Sequence, residues 1–264
     1  MPQDTRNHKE VVREEFTRQA QAYAANPHIG DPERVARLVL AIHPPPDARV
    51  LEVATGPGYV ALGFAAVCRE VVGVDLTAAP LAIAERQRRE QGLDNVRFQE
   101  ADAEDLPFPD GDFDVVVCRL AFHHFEDPPK VLAEMTRVCR EHGTVAVEDL
   151  IVSEDPNRAA YQNRFENLRD PSHTRAFPLS RLLTLFAAAG LDVENVSMAR
   201  REQVVERWLA NAHTPADRAA EVRSLIERDA REDLSGARPF YRDGRLHFVH
   251  RSAIVVGRRL APAR

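Results

Sequence analysis

Net positive charge, long apolar runs and paired cysteines are all missing from this 264-residue sequence. Its 35 Lys and Arg residues are outnumbered by 41 Asp and Glu residues, which gives a net charge of −6. No overall positive field is therefore available to attract nucleic acid or an anionic membrane. The sequence holds no run of about 18 apolar residues, and its polar start lacks the apolar segment of a signal peptide. We expect a soluble, cytoplasmic protein with no nucleic-acid partner and no membrane span.

Cysteine is scarce, which excludes a disulfide-based scaffold. Cys68, Cys118 and Cys139 fall in or beside apolar segments and form no C-x-x-C pair. We predict that they are reduced core thiols, as is usual in a reducing compartment. Internal repeats and low-complexity segments are also missing. A chain of this length can bury a sizeable core, either as one large α/β domain with additions or as a domain with a small cap.

The most informative stretch that is present is VLEVATGPGYVA, residues 50–61. An apolar strand pattern runs there into Gly56-Pro57-Gly58 and then into a helical pattern. Glycines let a chain turn sharply between strand and helix and let its backbone pass close to a ligand at the helix N-terminus. The stretch therefore predicts a nucleoside-type cofactor site. Its spacing, Gly56-x-Gly58-x-x-Ala61 with Asp75 about twenty residues later, also fits the dinucleotide fingerprint, so the turn alone leaves the cofactor open.

Three more apolar strand patterns follow, at residues 71–76, 96–101 and 113–118. The first of them carries Asp75 near its end, and a carboxylate there can accept both hydroxyls of a ribose. The second is followed by Asp102 and Ala103. Strands and helices alternate over residues 49–150, which favours a parallel sheet covered on both faces. The ends of such strands meet at one crevice, so their polar groups are predicted to face one ligand.

The segments LEVATGPG, VVGVD, FQEADAEDLPFPDGDFDVVVC and RLAFHHFEDP resemble the class I S-adenosylmethionine-dependent methyltransferases. They are most similar to the small-molecule branch of the ubiquinone and menaquinone C-methyltransferases. The resemblance is strong over residues 49–150 and weak elsewhere. It implies a Rossmann-like, doubly wound α/β fold: a mostly parallel seven-stranded sheet with an antiparallel last strand, N-terminal helices and a helical lid. It also implies S-adenosylmethionine as the cofactor and a small, cyclic or aromatic methyl acceptor.

The expected organisation has five parts: a helical cap over residues 1–45, the cofactor-binding core over 46–151, a helical substrate lid over 152–190, completion of the sheet with a helical insertion over 191–258, and a tail over 259–264. Helices are predicted over residues 11–23, 32–42, 156–168 and 215–233. Ser180 is predicted to cap a helix that runs to Ala189. Strands are predicted over 191–199 and 252–257, with a hairpin arm over 240–249. Trp208 and Met198 are predicted to pack in the core, and Arg258 and Arg259 to begin the solvated tail.

The resemblance places cofactor contacts at the strand ends. Glu52 lies in an otherwise apolar strand, where an unpaired carboxylate is costly, and is expected to organise the glycine loop near the amino-acid part of the cofactor. Ala54 replaces the first loop glycine of the family. Asp102 is expected to accept from the adenine amino group. The alternatives, a purely structural Glu52 and aspartates that cap helices or turns, stay open. The full predicted set is Tyr23, Glu52, Ala54, Thr55, Gly56, Gly58, Asp75, Leu76, Asp102, Ala103 and Arg119.

Three histidines, His123, His124 and His173, are the predicted catalytic residues. Methyl transfer from a sulfonium is an in-line displacement, so alignment supplies much of the catalysis and a base is needed only if the nucleophile carries a proton. Imidazole titrates near neutral pH and suits either role, base or orienting group. His173 belongs to an RDPSH run within a polar cluster that we predict to form a substrate lid. The cluster begins with Glu148 and Asp149 at the end of the fifth strand pattern and continues from Arg164 to His173. The alternative for His123 and His124 is simple packing around the cofactor. The alternative for the cluster with His173 is a structural set of caps and salt bridges that joins the lid to the core.

An N-terminal segment and the spacing of the histidines also bear on function. The segment FTRQAQAY, which includes Phe16 and Tyr23, resembles the part that covers the cofactor in the quinone-methylating branch, although an ordinary helix would look the same. No metal site is predicted, because His123 and His124 lack the i, i+4 spacing of ligands on one helix face.

Two other functions stay open: a methyltransferase-like protein that keeps the cofactor for binding or pericyclic catalysis, and an NAD-dependent dehydrogenase. The sequence also leaves a homodimer open.

Overall fold

The computed structural model describes residues 7–25 and 29–261. Its strands are β1 Arg49–Val53, β2 Glu70–Asp75, β3 Val96–Glu100, β4 Phe113–Arg119, β5 Cys139–Val152, β6 Phe177–Pro178, β7 Leu191–Val204, β8 Phe240–Arg242 and β9 Arg245–Arg259. Its helices are α1 His8–Ala24, α2 Pro32–Ile42, α3 Tyr59–Ala65, α4 Ala78–Glu90, α5 Pro128–Val138, α6 Pro156–Arg169, α7 Leu179–Ala188, α8 Val205–Asn211 and α9 Ala216–Glu232, with a short 3-10 turn at Phe122–His124.

Seven of these strands form a continuous sheet in the order β3-β2-β1-β4-β5-β9-β7. The first five pair in parallel, and β9 runs antiparallel between β5 and β7. The predicted fold class is therefore confirmed. Two short strands add to the predicted seven, since β6 pairs with β5 and β8 forms a hairpin with β9. The strand order reverses between β1 and β4, which is where a doubly wound sheet opens its crevice.

The sheet is buried on both faces. Helices α5 and α7 cover one face with side chains such as Met135 and Phe186, and α2 and α3 cover the other with Leu38 and Phe64. These four side chains are fully buried. Because both faces are covered, the central strands are almost continuous runs of Val and Leu rather than alternating patterns. The core thus holds the strand ends of β1, β2, β4 and β5 in fixed register.

A smaller apolar cluster holds the chain beyond β7 against the sheet. Phe165 of α6, Trp208 of α8 and Phe248 of β9 are buried together. Their rings meet edge to face, with centroids 6.0 Å apart for Phe165 and Trp208 and 4.8 Å apart for Trp208 and Phe248. Such pairs add to the free energy gained from area burial alone. The packing role predicted for Trp208 is confirmed.

The structure corrects three local predictions. Helix α7 begins at Leu179, so Ser180 is its second residue and not its N-cap. The Ser180 N–H donates to Glu154. Met198 is 66% exposed, because it lies on β7, the strand at the edge of the sheet. Arg258 and Arg259 belong to β9 and not to a tail, and residues 262–264 lie outside the described residues. Backbone pairing with β7 extends the strand past its apolar residues.

The sequence also makes predictions about the cysteines, the C-terminal strands and membrane-spanning helices. Cys68, Cys118 and Cys139 are buried and free, as predicted. The predicted hairpin arm contains β8 and the first residues of β9, and the predicted final strand is a later part of the same β9. Within residues 7–25 and 29–261, no helix has both the length and the apolar content needed to cross a bilayer. Residues 1–6 of the polar start lie outside the described residues.

Replacing Phe248 with alanine should destabilise the protein by about 3–5 kcal/mol, because it removes a fully buried ring from the cluster and leaves a cavity. Urea denaturation measures this free energy of unfolding. Tyr241→Ala is the matched control, since that ring is 59% exposed and its loss should change the stability by no more than about 0.5 kcal/mol. Equal losses in the two variants would contradict the role of the cluster.

Candidate active site

A cleft opens at the C-terminal ends of β1, β2 and β4, with a volume of about 1020 Å³ that includes its mouth. We call it the strand-end cleft. The structure brings all but one of the predicted cofactor residues to its walls: Tyr23, Glu52, Ala54, Thr55, Gly56, Asp75, Leu76, Asp102, Ala103 and Arg119. Gly58 is the exception. A side chain there would come within 2.8 Å of Ala84 and Phe98, so this glycine permits close packing beneath the cleft.

The loop after β1 keeps a glycine-type conformation despite the alanine in it. Gly56 and Gly58 have φ angles of +52° and +84°, and Ala54 has a φ of +56°. Left-handed backbone costs an L-residue with a side chain roughly 1–2 kcal/mol. The substitution at Ala54 therefore leaves the turn intact at the expense of local strain.

Glu52 ties this loop to helix α3. Its Oε2 accepts from the Thr55 hydroxyl at 2.5 Å and from the Ala61 N–H at 2.8 Å. Burial raises the pKa of Glu52 to about 8, although these two donors and Arg119 act in the opposite direction. The carboxyl therefore organises the loop from below.

Asp75 holds the other side of the loop. Its Oδ2 accepts from the Gly56 N–H at 2.8 Å and its Oδ1 accepts from the Thr77 N–H at 2.9 Å. Burial raises the pKa of Asp75 to about 6, and the backbone donors oppose that rise. A carboxylate has about four acceptor positions, so each oxygen retains one for a ligand.

Helix α1 forms the wall of the cleft opposite the sheet. Lys9 Nζ lies 2.7 Å from Asp102 Oδ2 and 2.9 Å from Glu104 Oε2. Burial acts to raise the pKa of Asp102, but Lys9 outweighs it and the pKa is lowered. Phe16 and Tyr23 of the same helix also line the cleft. Lys9 of helix α1 thus forms an ion pair with Asp102, the residue that the family resemblance predicts to contact the adenine.

Arg119 at the end of β4 carries an unpaired donor. Its Nε donates to Glu148 at 3.0 Å and its Nη1 donates to the Ile29 carbonyl at 2.9 Å. Its Nη2 is buried and has no hydrogen-bond partner among the described residues. Glu148 is fully buried and also lies 3.6 Å from Arg34 and 3.0 Å from Arg37. One carboxylate therefore faces three guanidinium groups.

A second cavity adjoins the first, with a volume of about 760 Å³ that includes its opening to solvent, and we call it the histidine chamber. The two cavities share the residues Phe16, Tyr23, Ile29, Leu120 and His124. All three predicted catalytic histidines line the chamber. The ring of His123 lies 4.2 Å from that of His124 and 5.2 Å from that of His173, measured between centroids. The structure therefore brings the two histidine segments together.

His123 is paired with a carboxylate. Its Nδ1 lies 2.6 Å from Asp149 Oδ1, and its backbone N–H donates to Oδ2 at 2.8 Å. Burial lowers the pKa of His123, but the charge and hydrogen bond of Asp149 outweigh it and the pKa is raised; Glu166 and Asp170 add to the rise. With its Nδ1 proton donated to Asp149, the neutral ring keeps Nε2 as an acceptor.

The other two imidazoles lack such a partner. His124 Nδ1 donates to the Ser172 carbonyl at 2.9 Å, and His173 Nε2 faces Asn163 Oδ1 at 2.9 Å. Burial, followed by the neighbouring His123, lowers the pKa of His124 to about 4 and that of His173 to about 3. The environments of the three candidates thus differ, and His123 is the one that is poised to accept a proton.

The RDPSH run forms both a turn and a chamber wall. Asp170 Oδ1 accepts from the Ser172 N–H at 3.0 Å and from its hydroxyl at 2.5 Å. Asp170 and His173 also line the chamber. Arg164 lies apart from them, with its side chain 60% exposed and paired with Glu221. The predicted lid cluster therefore reaches the chamber without Arg164.

Five residues around these cavities are not among the predicted site residues: Lys9, Glu166, Arg201, Gln203 and His250. Asp149 belongs to the polar cluster predicted after the fifth strand, but its pairing with His123 was not predicted. Glu166 lies within the predicted lid, and no sequence pattern marked it. The other four residues lie far in sequence from the motifs. Across residues 7–25 and 29–261, no group of three or more His, Cys, Asp or Glu side chains is placed to hold a metal ion.

Comparisons with known proteins agree with this geometry. A methyltransferase-domain family model matches residues 51–147. The Bacillus subtilis protein YcgJ, an uncharacterized methyltransferase, is 33% identical over 207 residues, which cover 78% of this chain and 82% of YcgJ. Its crystal structure matches with a TM-score of 0.82 at 29% identity over 87% of this chain and 99% of that one. The demethylmenaquinone methyltransferase of Thermus thermophilus is 46% identical over 101 residues, 38% of this chain and 46% of that protein.

Sheet order, strand-end polar groups and structural likeness define a Rossmann-like enzyme of the class I methyltransferase fold. The chain belongs to the methyltransferase family. The predicted family and enzyme class are thereby confirmed, and the dehydrogenase alternative finds no support.

Glu52→Gln should change how stability depends on pH. The folded-state pKa of Glu52, about 8, lies above its ordinary value of 4.5, so between these values the folded protein keeps a proton that the unfolded chain releases. The free energy of unfolding then falls as pH rises, by up to about 1.4 kcal/mol per pH unit from this group. E52Q cannot lose that proton and should fall less steeply.

Urea denaturation of the ligand-free protein between about pH 5 and pH 8 checks this difference. Glu90→Gln is the control, because Glu90 is exposed at the end of α4 and its variant should follow the wild type. Parallel pH curves for the wild type and E52Q would argue against a raised pKa of Glu52 in the folded protein.

Proposed function

We propose that the protein transfers the methyl group of S-adenosylmethionine to a small-molecule acceptor by in-line displacement. The observation that carries the proposal is the shared wall between two cavities. One cavity gathers the predicted cofactor residues, and the other holds an imidazole paired with a carboxylate. A donor and an acceptor bound in adjoining cavities would meet at that wall.

The strand-end cleft fits the parts of such a cofactor. The open acceptor positions of Asp75 suit the two hydroxyls of a ribose. The unpaired Nη2 of Arg119 suits the carboxylate of the amino-acid part, because a buried donor without a partner is costly. Asp102 stays the predicted partner of the adenine amino group. Its carboxylate would then accept from both the adenine and Lys9. Bound here, the cofactor would supply an electrophilic methyl group on a sulfonium.

The wall between the cavities would orient the reactants and exclude water. Phe16 packs edge to face against Tyr23 and His124, at centroid distances of 5.9 Å and 5.0 Å. Burial raises the pKa of Tyr23 to about 12, so its hydroxyl stays neutral at working pH. Fixed neighbours of this kind supply alignment, which is the main requirement of a displacement reaction.

His123 would act as the general base for an acceptor that carries a proton on its nucleophilic atom. Asp149 holds the ring by one hydrogen bond at Nδ1 and the backbone of His123 by another, and it would stabilise the imidazolium that proton transfer creates. His124 and His173 would position the acceptor, since their lowered pKa values make them weak bases. Of the predicted catalytic trio, His123 is thus assigned the proton transfer.

The acceptor we infer is a small cyclic or aromatic metabolite. Phe16 and Trp208 line the chamber and would offer ring faces or edges to it. Three buried, free cysteines support a reducing, cytoplasmic setting for the reaction.

Calorimetry should detect tight binding of S-adenosylhomocysteine to the wild type. Asp75→Asn should weaken that binding by about 10- to 100-fold, because it removes the charge from hydrogen bonds to the ribose. Asp94→Asn, an exposed aspartate in the loop before β3, is the control and should bind like the wild type. No binding of this ligand, with tight binding of a nicotinamide dinucleotide, would overturn the proposal.

A turnover measurement separates methyl transfer from the alternative in which the cofactor is only retained. Conversion of an acceptor should release one demethylated cofactor for each methylated product. Conversion of a substrate while the cofactor stays intact would favour the pericyclic alternative.

Turnover should fall as the pH drops through a pKa above 6.5, because protonation of His123 removes the base. Asp149→Asn takes away the charge that raises this pKa and leaves the burial that lowers it. Its acid limb should therefore lie at lower pH, with kcat reduced about 100-fold or more by the loss of an oriented base. Steady-state kinetics as a function of pH provide both readouts.

His142→Gln is the matched control, since this exposed histidine lies in the N-terminal part of β5, away from the C-terminal strand ends that form the site. Its profile should match that of the wild type. An acid limb that stays in place in Asp149→Asn would show that another group titrates.

A further inference from the structure

The acidic side chains of the histidine chamber are already compensated. Glu166 Oε1 lies 2.7 Å from His250 Nε2, and this contact outweighs burial to lower the pKa of Glu166 to about 2. Asp170 accepts two hydrogen bonds from Ser172 and lies 4.0 Å from Arg169. These carboxylates therefore have their own partners inside the wall.

Arg201 is the exception among the charged groups of the chamber. It lies on β7 directly opposite His250 of β9. Its partner is the neutral amide of Gln203, whose oxygen, in the orientation that satisfies both neighbours, accepts from Arg201 Nε at 2.8 Å and Nη2 at 2.5 Å. Arg201 Nη1 is buried without a hydrogen-bond partner in the described part of the chain.

The charges around Arg201 have the wrong sign to compensate it. Burial lowers its pKa to about 10, and Arg34, Arg119 and Arg169 contribute to that lowering, while Tyr23 acts in the opposite direction. The group is still a cation at neutral pH. A buried cation without a counter-charge is unfavourable, and an anion that binds beside it relieves that cost.

We propose that Arg201 binds a carboxylate group of the methyl acceptor, an inference that rests on the proposed methyl transfer. The planar guanidinium matches a carboxylate in shape and can donate to both of its oxygens. Glu166 and Asp170 in the same chamber disfavour a doubly charged phosphate. Each cavity thereby has one arginine with a donor that is unpaired among the described residues: Arg119 in the strand-end cleft and Arg201 in the chamber.

The test uses benzoate and benzamide, which have nearly the same shape and differ in charge. The full chain is first titrated with S-adenosylhomocysteine, and each probe is then titrated into the loaded protein. Benzoate should bind at least about tenfold more tightly than benzamide, as expected for a charge-assisted pair. Phenyl phosphate is the third probe and should bind more weakly than benzoate.

Two variants should abolish the preference for benzoate. Arg201→Met removes the cation. Gln203→Glu is nearly isosteric and keeps the cation, but supplies the counter-charge from the protein itself, so it tests the proposal even if Arg201→Met folds poorly. Arg200→Met is the control, because this exposed neighbour on β7 carries the same charge outside the chamber. It should keep the full preference.

Each other result overturns the inference. Equal binding of benzoate and benzamide, no benzoate binding at millimolar concentration, or a preference that survives both variants would each exclude a carboxylate site at Arg201. Tighter binding of phenyl phosphate would assign the site to a phosphoryl group. The first titration is independent: failure of S-adenosylhomocysteine to bind would overturn the proposed function, while the probes still report on Arg201 in the unloaded protein.

Discussion

A carboxylate that is buried at the end of a strand must be met by donors, and the rest of the site follows from this constraint. Glu52 and Asp75 collect the N–H and hydroxyl groups of the loop between β1 and α3. Glu148 holds Arg119, and Asp149 holds His123. Each acid thereby places one element of the site: the loop or a guanidinium at the strand-end cleft, and an imidazole at the histidine chamber. An acidic group buried without donors is costly, so these contacts fix the geometry of the site.

The two cavities use opposite electrostatic arrangements. In the strand-end cleft, carboxylates line the wall and one guanidinium has a free donor, which suits a ligand with hydroxyl groups and a carboxylate of its own. In the chamber, the acids are paired within the wall and Arg201 is left without a counter-charge. Helix α1 borders both, since Phe16 and Tyr23 line the two cavities. Movement of this helix would therefore change both cavities together.

The fold and the strand-end cleft could be predicted from local patterns. In a parallel sheet each strand ends on the same side, so polar residues such as Asp75 and Asp102 converge without any knowledge of side-chain contacts. Ala54 shows that the turn tolerates the loss of a glycine. Predictions were wrong where pairing with a distant strand decided the outcome. Met198 is apolar yet exposed at the sheet edge, and Arg259 is charged yet extends β9 because its backbone pairs with Leu191.

By itself, the sequence determined the doubly wound fold, the location of the strand-end cleft and the segments that carry the histidines. These features depend on periodicity and on the residues at strand ends, which are local properties of the chain. The tertiary structure decided which histidine has a carboxylate, which aspartate is fastened by Lys9 and which arginine lacks a counter-charge. Charge compensation depends on distances of a few ångströms between segments far apart in sequence, and only the packed sheet sets those distances.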